Sequence, residues 1–587
     1  MMKEVVTKVQ LAKVTRLNQA NPLVDLLIKF AGIKDLNELY DKAAKLGHEA
    51  FIPKILESLQ LNIDCLERDL EKVPKSGAFI IISNHPFGAL DGLVLIYVIG
   101  KLRPDLKVMA NFLLEHVQEL QEFFIGVNPF DEKTSAKSSF HGIKKAIQHL
   151  NEDKPLVIFP SGEVSTFQFE TRTISDTQWS KQSIKLIQKC GVPVIPLFFD
   201  GSNSNSFHLL GMIHPALRTL RLPKELLKKK GQTIRMRIGS AISPTSLAEF
   251  DSTEVLSKYL RARVYALGSG VEVKKDHFRR VYRVRKPSPI QNSPQEDELK
   301  AELALCDDLK LFTRGQFVCY LAPARRIPKL LLEIGIQREQ TFRAVGEGSN
   351  KRIDLDEYDY YYDHLFLWHV GDAKLVGAYR VGMGESIMAR LGSKGFYTSS
   401  LFRYKQPIRS ILPKCVELGR SFVRIDYQKH RLPLFLLWKG IMSILLKHPS
   451  YQYVIGPVSI SNDYSDFSKG LIMEFVQRYH FNHDLAQYVK PKNHFVPKFK
   501  QVDREALLNS TNKDLKKLDR LISDIEPRSF SVPVLLKKYL YQNAKILGFN
   551  SDPKFNNALD GLIFLDFSDI PESMITSLQA DINEALT

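Results

Sequence analysis

The stretch SNHPFGALDG, Ser83–Gly92, closes the apolar run GAFIII and opens an apolar helical segment, so it reads as the polar loop between a strand and a helix. His85 and Asp91 share that loop. A histidine needs a carboxylate on one ring nitrogen to fix its tautomer; its other nitrogen can then take a proton from an attacking hydroxyl. Gly88 and Gly92 allow the tight backbone this pairing needs. The alternative is a solvated loop histidine beside an aspartate that caps a helix.

Working outward, Gly77–Ser83, Pro155–Phe159, Val192–Phe199 and Thr233–Gly239 read as strands. Lys137–Asn151 and Trp179–Cys190 read as helices between them. Alternation of this kind predicts an α/β sheet with helices on its faces. IFPSGEVST, Ile158–Thr166, sets Ser161, Gly162, Glu163 and Ser165 in a polar loop after the second strand, where small residues present backbone N–H groups to an anion. A third polar loop ends Val192–Phe207. Polar loops at successive strand ends are how an α/β sheet builds a site.

A chain of 587 residues predicts several domains. RKPSPIQNSPQEDELKAE, Arg285–Glu302, is proline-rich and patternless and reads as a linker. The expected division is an amphipathic helical hairpin over 1–60, a domain over 61–284, the linker over 285–302 and a second domain over 303–587. A hydrophobic fraction of 44% with 25% charged residues excludes a disordered or multi-span membrane chain. The formal charge of +17 suits an acidic partner. Five scattered cysteines argue against a disulfide framework or a zinc site, and for a reducing compartment. The polar start lacks a signal peptide's apolar core, and Leu432–Leu446 is too short to span a bilayer.

NHPFGALDG, IFPSGEVS and VPVIPL, in that order, resemble the glycerol-phosphate/lysophospholipid acyltransferase family over about 84–196. The resemblance implies that His85 deprotonates an acceptor hydroxyl for attack on a fatty-acyl thioester, with Asp91 orienting it. It also implies that Asn84, Ser161, Gly162 and Glu163 contact substrate. The His–Asp spacing is one residue longer than the family's, and Val164 stands where the family has an arginine. Both departures resemble the hemolysin-like, ornithine-lipid branch, whose acceptor is a lyso-aminolipid. Phe207–Gly231 pairs apolar residues with the Lys228–Lys230 cluster, and His277–Lys286 is strongly basic; such stretches dock on anionic lipid. A core helix with a solvated basic face is the alternative.

The second domain alternates too. His364–Val370, Lys374–Val381, Cys415–Val423 and Tyr451–Val458 read as strands, and Leu434–Lys447 as an apolar helix upon them. The tail adds a helix over Asn509–Ile525 and a strand over Gly561–Phe567. Arg338, Phe342 and Arg343 fall on a helix, and Asp354, Asp356, Asp359 and Asp363 form an acidic loop that reads mostly as a solvated turn. Glu417 and Arg420 share a strand; a carboxylate there can take a proton from an amine, while a local ion pair is the plainer reading. From about Gln337 to Tyr488 this order resembles the acyl-homoserine-lactone synthase and ornithine N-acyltransferase branch of the GNAT fold, with Ser531–Gly548 resembling the ornithine enzymes in particular. The resemblance implies Glu417 as catalytic, with Arg338, Phe342, Arg343, Asp363, Arg380 and Arg420 binding substrate. The turn Arg424–Phe435 has no glycine to cradle a coenzyme A pyrophosphate, while Arg424, Lys429, His430 and Arg431 offer a basic face to a carrier protein.

The fused pair resembles bifunctional ornithine-lipid synthases: a glycerol-phosphate-acyltransferase-like α/β domain followed by a GNAT-like α/β domain. The expectation is a 3-hydroxyacyl amide made on an amino acid, then O-acylation of the resulting lyso-lipid. Glycine, serine or lysine in place of ornithine, or a lysophospholipid acyltransferase with a regulatory GNAT domain, are the alternatives. No cofactor or metal is expected, only acyl-carrier-protein or coenzyme A thioesters. Expected partners are acyl carrier protein, an anionic membrane surface, and the amino acid and lyso-lipid substrates, at the inner face of the cytoplasmic membrane. A basic scaffold without catalysis is the rival class, and no nucleic-acid-binding signature is present.

Overall fold

The computed structural model describes residues 22–111, 117–127, 136–281, 287–430, 432–497, 499, 502–528 and 530–570. Two compact units emerge. The first comprises residues up to Lys274 together with Phe499–Asn512 and Arg520–Ser529; the second comprises Lys275–Lys498, Lys513–Asp519 and Phe530 onward.

In the first unit, helices α1 (Pro22–Ala31), α2 (Ile33–Ala44) and α3 (His48–Ser58) precede strand β1 (Asn62–Cys65). Then follow β2 (Ile80–Ser83), α4 (Ala89–Ile99), β3 (Lys107–Asn111), β4 (Phe124–Val127), α5 (Ala136–Asn151) and β5 (Leu156–Ile158). A hairpin, β6 (Thr166–Gln168) with β7 (Thr173–Ser175), leads to α6 (Lys181–Cys190) and β8 (Val194–Asp200). The unit continues through α7 (Asn205–Ile213), α8 (Pro215–Leu227), β9 (Thr233–Ile238) and the long α9 (Thr253–Val281). The sheet order is β1-β9-β8-β2-β5-β3-β4, parallel throughout except between β8 and β9. Ile80, Ile81 and Ile82 are wholly buried. An unbroken β-branched run suits a central strand covered on both faces.

One expectation changes here. The N-terminal helices are not a separate hairpin: Tyr40, Phe51 and Ile55 share one core with Phe79, Ile81 and Leu90. The apolar faces of α2 and α3 close on that core, while α1 packs through Val24 and Ala31 against Ile33 and Leu220, which a helix pair alone would not achieve. Residues 1–21 of that expected hairpin, and the side chains of the basic stretch 277–286, lie outside the described residues. The short strands β1, β3 and β4 were not legible, being brief and lacking a long apolar run.

The tail also departs from expectation. The single helix expected over Asn509–Ile525 is two, Arg504–Ser510 and Leu515–Ile525. Asn512 and Lys513 between them take positive φ values of 48° and 63°, which break the helix. Its end belongs to the first unit. Asp524 accepts from Ser240 N (3.0 Å) and Ser240 Oγ (2.6 Å) and pairs with Arg263 (2.8 Å). Arg237 donates to the Asp524 and Ile525 carbonyls (2.9 and 3.1 Å). Gly270 is required for this approach, since a Cβ there would stand 2.0 Å from the Ile525 carbonyl oxygen.

In the second unit, α10 (Glu296–Ala304) is followed by β10 (Lys310–Arg314), β11 (Phe317–Pro323), α11 (Pro328–Ala344), β12 (Asp363–His369), β13 (Lys374–Met383) and β14 (Phe402–Tyr404). Then come β15 (Cys415–Val423), α12 (Leu432–Lys447), β16 (Tyr453–Ile460), α13 (Asp466–Tyr479), β17 (Val489–Pro491), β18 (Lys545–Asp552) and β19 (Ala558–Asp566). The main sheet order is β10-β11-β12-β13-β15-β16-β19-β18. The second half of the expected linker is α10, a helix begun by Glu298 accepting the Gln295 N–H and anchored by Leu299 and Leu303 in the core. Those two leucines are four apart, a spacing too brief to register as periodicity within a polar segment.

Among the described residues, β15 and β16 are the only parallel neighbours in this sheet. Their ladder runs from Cys415↔Tyr453 to Glu417↔Ile455 and stops. Beyond it β15 stays with β13 and β16 with β19, so the sheet splits at Leu418. Arg420, at φ 50°, sits in the bulge that turns β15 away.

Candidate active sites

In the first unit β2 delivers the His85 loop to the carboxyl edge of the parallel sheet. His85 Nδ1 lies 2.9 Å from Asp91 Oδ2, and the same oxygen accepts from the N–H groups of Phe87 (3.0 Å) and Gly88 (3.1 Å). Asp91 is wholly buried at the first turn of α4. Burial pushes its carboxyl up, against the lowering pull of His85 and of the two backbone N–H groups. Gly88 is at φ 83°, and a Cβ there would meet Leu222 at 3.2 Å. The imidazole stacks on Phe159, ring centroids 4.1 Å apart. With Nδ1 held by the carboxylate, Nε2 is the nitrogen left for a substrate proton.

The IFPSGEVS loop meets this loop. Ser165 N donates to the His85 carbonyl (2.9 Å). A residue not singled out in the sequence, Asp176, joins the two: its Oδ1 accepts from Ser165 Oγ (2.6 Å) and His85 N (3.2 Å), and its Oδ2 from Trp179 Nε1 (3.1 Å). Asp176 lies in ordinary loop sequence after β7, so nothing in the chain marked it. Glu163 takes Thr177 Oγ1 (2.8 Å) and pairs with Arg218 (2.7 Å), and Ser161 Oγ donates to the Glu163 carbonyl (2.8 Å). Gly162 is exposed at φ 69°. Asn84 departs from its expected role. Its amide donates to the Phe199 carbonyl (2.9 Å) and accepts the Phe199 N–H (2.8 Å), so both ends of the side chain clamp β2 to β8.

In the second unit the expected residues assemble differently from the expectation. Glu417 is buried and accepts four donors: Tyr397 N (2.8 Å), Thr398 N (2.8 Å), Thr398 Oγ1 and Tyr362 OH. A carboxylate so engaged has no lone pair positioned for an incoming amine. Glu417 therefore ties strand β15 to the 397–398 turn. It does not pair with Arg420, which instead reaches Asp356 (3.2 Å) and Asp354 (3.8 Å). Arg338, wholly buried, pairs with Asp359 (3.0 Å), and Arg380 bonds Asp356 while facing the rings of Tyr358, Tyr362 and Tyr397. Burial alone would raise the Asp359 carboxyl, yet Arg338 and Arg380 hold it well below the usual range. The acidic loop is thus a buried ion network rather than a solvated turn, because three arginines converge on it. Phe342 packs on the core, and Arg343 bonds Glu339 (2.7 Å) and the Lys351 carbonyl (2.6 Å). Asp363 stands apart at the start of β12, its carboxyl raised by burial.

The groups beside the split strands were missed. Asp560, on β19, accepts from Ser459 Oγ (2.6 Å) on β16. Burial, with Asp552 and Glu347 adding to it, pushes its carboxyl up to about 7, against Ser459 and Arg420. Glu347 is likewise pushed up to about 7, by burial and by Asp463. Both are lone acids in unremarkable sequence; only the fold brings them together. Glu417→Gln is expected to cost stability, about 1–3 kcal/mol for mismatched buried donors, and to leave amide formation per folded molecule within several-fold. Thermal unfolding beside an activity assay checks this; lost activity at unchanged stability would return Glu417 to the chemistry.

Comparison with known proteins follows this division. The family model described as Acyltransferase matches residues 31–273, and that described as Acetyltransferase (GNAT) domain matches 337–438. A glycine N(alpha)-acyltransferase of Bacteroides thetaiotaomicron is 30% identical over 255 residues, 41% of this chain and 74% of that protein. The chain belongs to the acyltransferase family, joining an acyltransferase domain to a GNAT domain. A lyso-glycine lipid O-acyltransferase of Phocaeicola vulgatus is 29% identical to this acyltransferase over 229 residues, 38% of this chain and 77% of that protein. A solved 1-acyl-sn-glycerophosphate acyltransferase of Thermotoga maritima aligns at 18% identity over 40% of this chain and 90% of its own, with a TM-score of 0.25. Among the described residues no helix is long and apolar enough to cross a membrane.

Proposed function

We propose that this acyltransferase builds a diacylated aminolipid in two steps. In the GNAT domain the α-amine of an amino acid attacks a 3-hydroxyacyl thioester; the C–N bond forms, the C–S bond breaks, and the thiol leaves with the proton. In the first unit the 3-hydroxyl of that product attacks a second acyl thioester, with His85 taking its proton and returning it to the leaving thiolate. The observation that carries this reading is the union, in one chain, of the two domain types whose relatives are named as an N-acyltransferase and a lyso-lipid O-acyltransferase. Those names favour glycine as the amino acid. Ornithine is the second reading, favoured by the gathering of Glu347, Asp463, Asp552 and Asp560, more carboxylates than one amine requires.

Asp560, with Glu347, is the base assigned to the amine in place of Glu417. Acyl carrier protein is the proposed donor for the second unit. Attachment to the membrane face fits α7, which exposes Leu209, Met212 and Ile213 at helical spacing on one side.

The test is expression in a host that lacks aminolipids, with lipid mass spectrometry. A diacylated aminolipid, labelled from glycine or from ornithine, is the expected product; absence of both would sink the reading. Asp560→Asn should slow amide formation about 10–100-fold, below a full general-base effect because Glu347 remains. A base with its proton affinity near 7 is active when unprotonated, so amide formation should fall as the pH drops below about 7. A rate flat from pH 8 to 5.5 would remove Asp560 and Glu347 from the chemistry.

A further inference from the structure

Beside the His85 loop the first unit buries a polar cluster that proton transfer does not use. Asn203, in the turn between β8 and α7, is 3% exposed, and neither its amide nitrogen nor its amide oxygen meets a hydrogen-bond partner. His208, on the inner side of α7, is 4% exposed; its ring lies near the Asn203 backbone, but neither nitrogen completes a hydrogen bond. Buried polar groups are costly without partners, so two such side chains side by side mark a place that something polar completes.

Two cations border the cluster. Lys229 is buried and lies 4.5 Å above the ring of Phe87, two residues beyond His85. Its Nζ donates to the Ser202 carbonyl (2.7 Å), a neutral partner that leaves its charge available. Arg218 packs against Gly211 of α7, where a Cβ would stand 3.0 Å from the Arg218 Cδ. The charges of Arg218, Glu225 and Lys229 all act on His208, and those of Glu225, Asp91 and Lys228 act on Lys229. Glu163 already pairs with Arg218, while Glu225 takes Lys228 (2.7 Å) and both donors of Ser204.

We propose that Asn203, His208, Lys229 and Arg218 bind the anionic head of the acceptor lyso-lipid, and that this head is a carboxylate. This rests on the O-acyl-transfer reading of the same unit. Lys229 is hydrogen-bonded only to a neutral group, and the carboxylates of Glu163 and Glu225 at the border favour a ligand with a single negative charge over a phosphate dianion. The neutral amide and imidazole supply the remaining hydrogen bonds to a planar carboxylate. In an N-(3-hydroxyacyl) amino acid the carboxylate and the 3-hydroxyl lie at the two ends of a short amide-containing stretch. A head held at Lys229, against Phe87, turns that hydroxyl toward His85.

The experiment uses the full chain carrying His85→Ala, which binds acceptor without consuming it. Isothermal titration calorimetry follows N-(3-hydroxyacyl)glycine, its methyl ester and a lysophosphatidate of equal chain length, each below its micelle concentration. The free acid should bind about 10–100-fold more tightly than the ester. Added Lys229→Met or Asn203→Leu should abolish that preference, and Lys229→Arg should keep most of it. Because the acid-to-ester ratio needs no variant of the cluster, a variant that fails to fold leaves the test intact. Equal binding of acid and ester, tighter binding of lysophosphatidate, or a preference unmoved in folded Lys229→Met would overturn the proposal. If the unmutated chain binds the acid selectively yet never esterifies its hydroxyl, the O-acyl-transfer reading fails while the pocket stands.

Discussion

His85→Ala is expected to stop formation of diacylated lipid while the monoacyl amide accumulates, with a rate loss of about 10²–10⁴-fold in O-acyl transfer. The expectation rests on geometry: Asp91 holds one ring nitrogen at 2.9 Å and Phe159 fixes the ring plane, so the other nitrogen is aimed rather than merely present. Fold should be kept, because the ring is partly exposed and alanine retains the backbone hydrogen bonds of His85 to Asp176 and Ser165. Asp91→Asn is the gentler companion change. Asp91 Oδ2 meets the Phe87 and Gly88 N–H groups as well as His85, so an asparagine oxygen in its place keeps those contacts and removes the negative charge that favours a protonated imidazole. Both variants should lose O-acyl transfer while keeping most of their thermal stability. Quantifying mono- and diacyl lipid with each variant decides it; undiminished diacyl product from His85→Ala would remove this histidine from the reaction.

Asp524→Ala is expected to destabilise the first unit by about 3–5 kcal/mol, the usual effect of removing one member of a buried charged group. At roughly 2–4 °C per kcal/mol for a unit of this size, Tm should fall by roughly 6–20 °C. Asp524 is 3% exposed and serves Ser240, Arg263 and Lys72 at once, so its loss leaves Arg263 without its carboxylate and Lys72 with Asp69 alone. The same contacts predict that a fragment ending at residue 284 is unstable, even though the acyltransferase motifs all precede that point. Arg237, 4% exposed, would lose the Asp524 and Ile525 carbonyls that it donates to. Denaturant unfolding of the full chain, of Asp524→Ala and of the fragment measures this. A fragment as stable as the full chain would show that 520–529 is an ornament on the first unit.

Much of the chemistry was legible in the sequence because it is local. The His85–Asp91 pair spans one strand-to-helix turn, and Ile80–Ile82 could only be a buried strand, so the pair had to emerge at a sheet edge. The strands and helices flanking that loop followed from apolar runs long enough to show a period. Residues that act at a distance were not legible. Asn84 sits in the same motif as His85, yet its partners on Phe199 lie 115 residues away, and nothing in the motif distinguishes a clamp from a substrate ligand. Glu417 carried the right chemistry for a base, but its four donors come from Tyr362, Tyr397 and Thr398, which only the folded sheet brings to it.

The amino-acid sequence by itself determined that an acyltransferase-like α/β region precedes a GNAT-like one, and that His85 and Asp91 share one strand-to-helix turn in the first. Both depend on short-range pattern: strand periodicity, a turn rich in glycine, and side chains a few residues apart. Tertiary structure decided the rest. It made Arg338, Arg380 and Arg420 counterions of a buried acidic loop, brought Glu347 to Asp560 beside the split between β15 and β16, and closed the first unit with Asp524 from near the other end of the chain. These are charges with partners remote in sequence. A buried charge takes its role from its neighbours and from the water it loses, and neither is defined until the chain has folded.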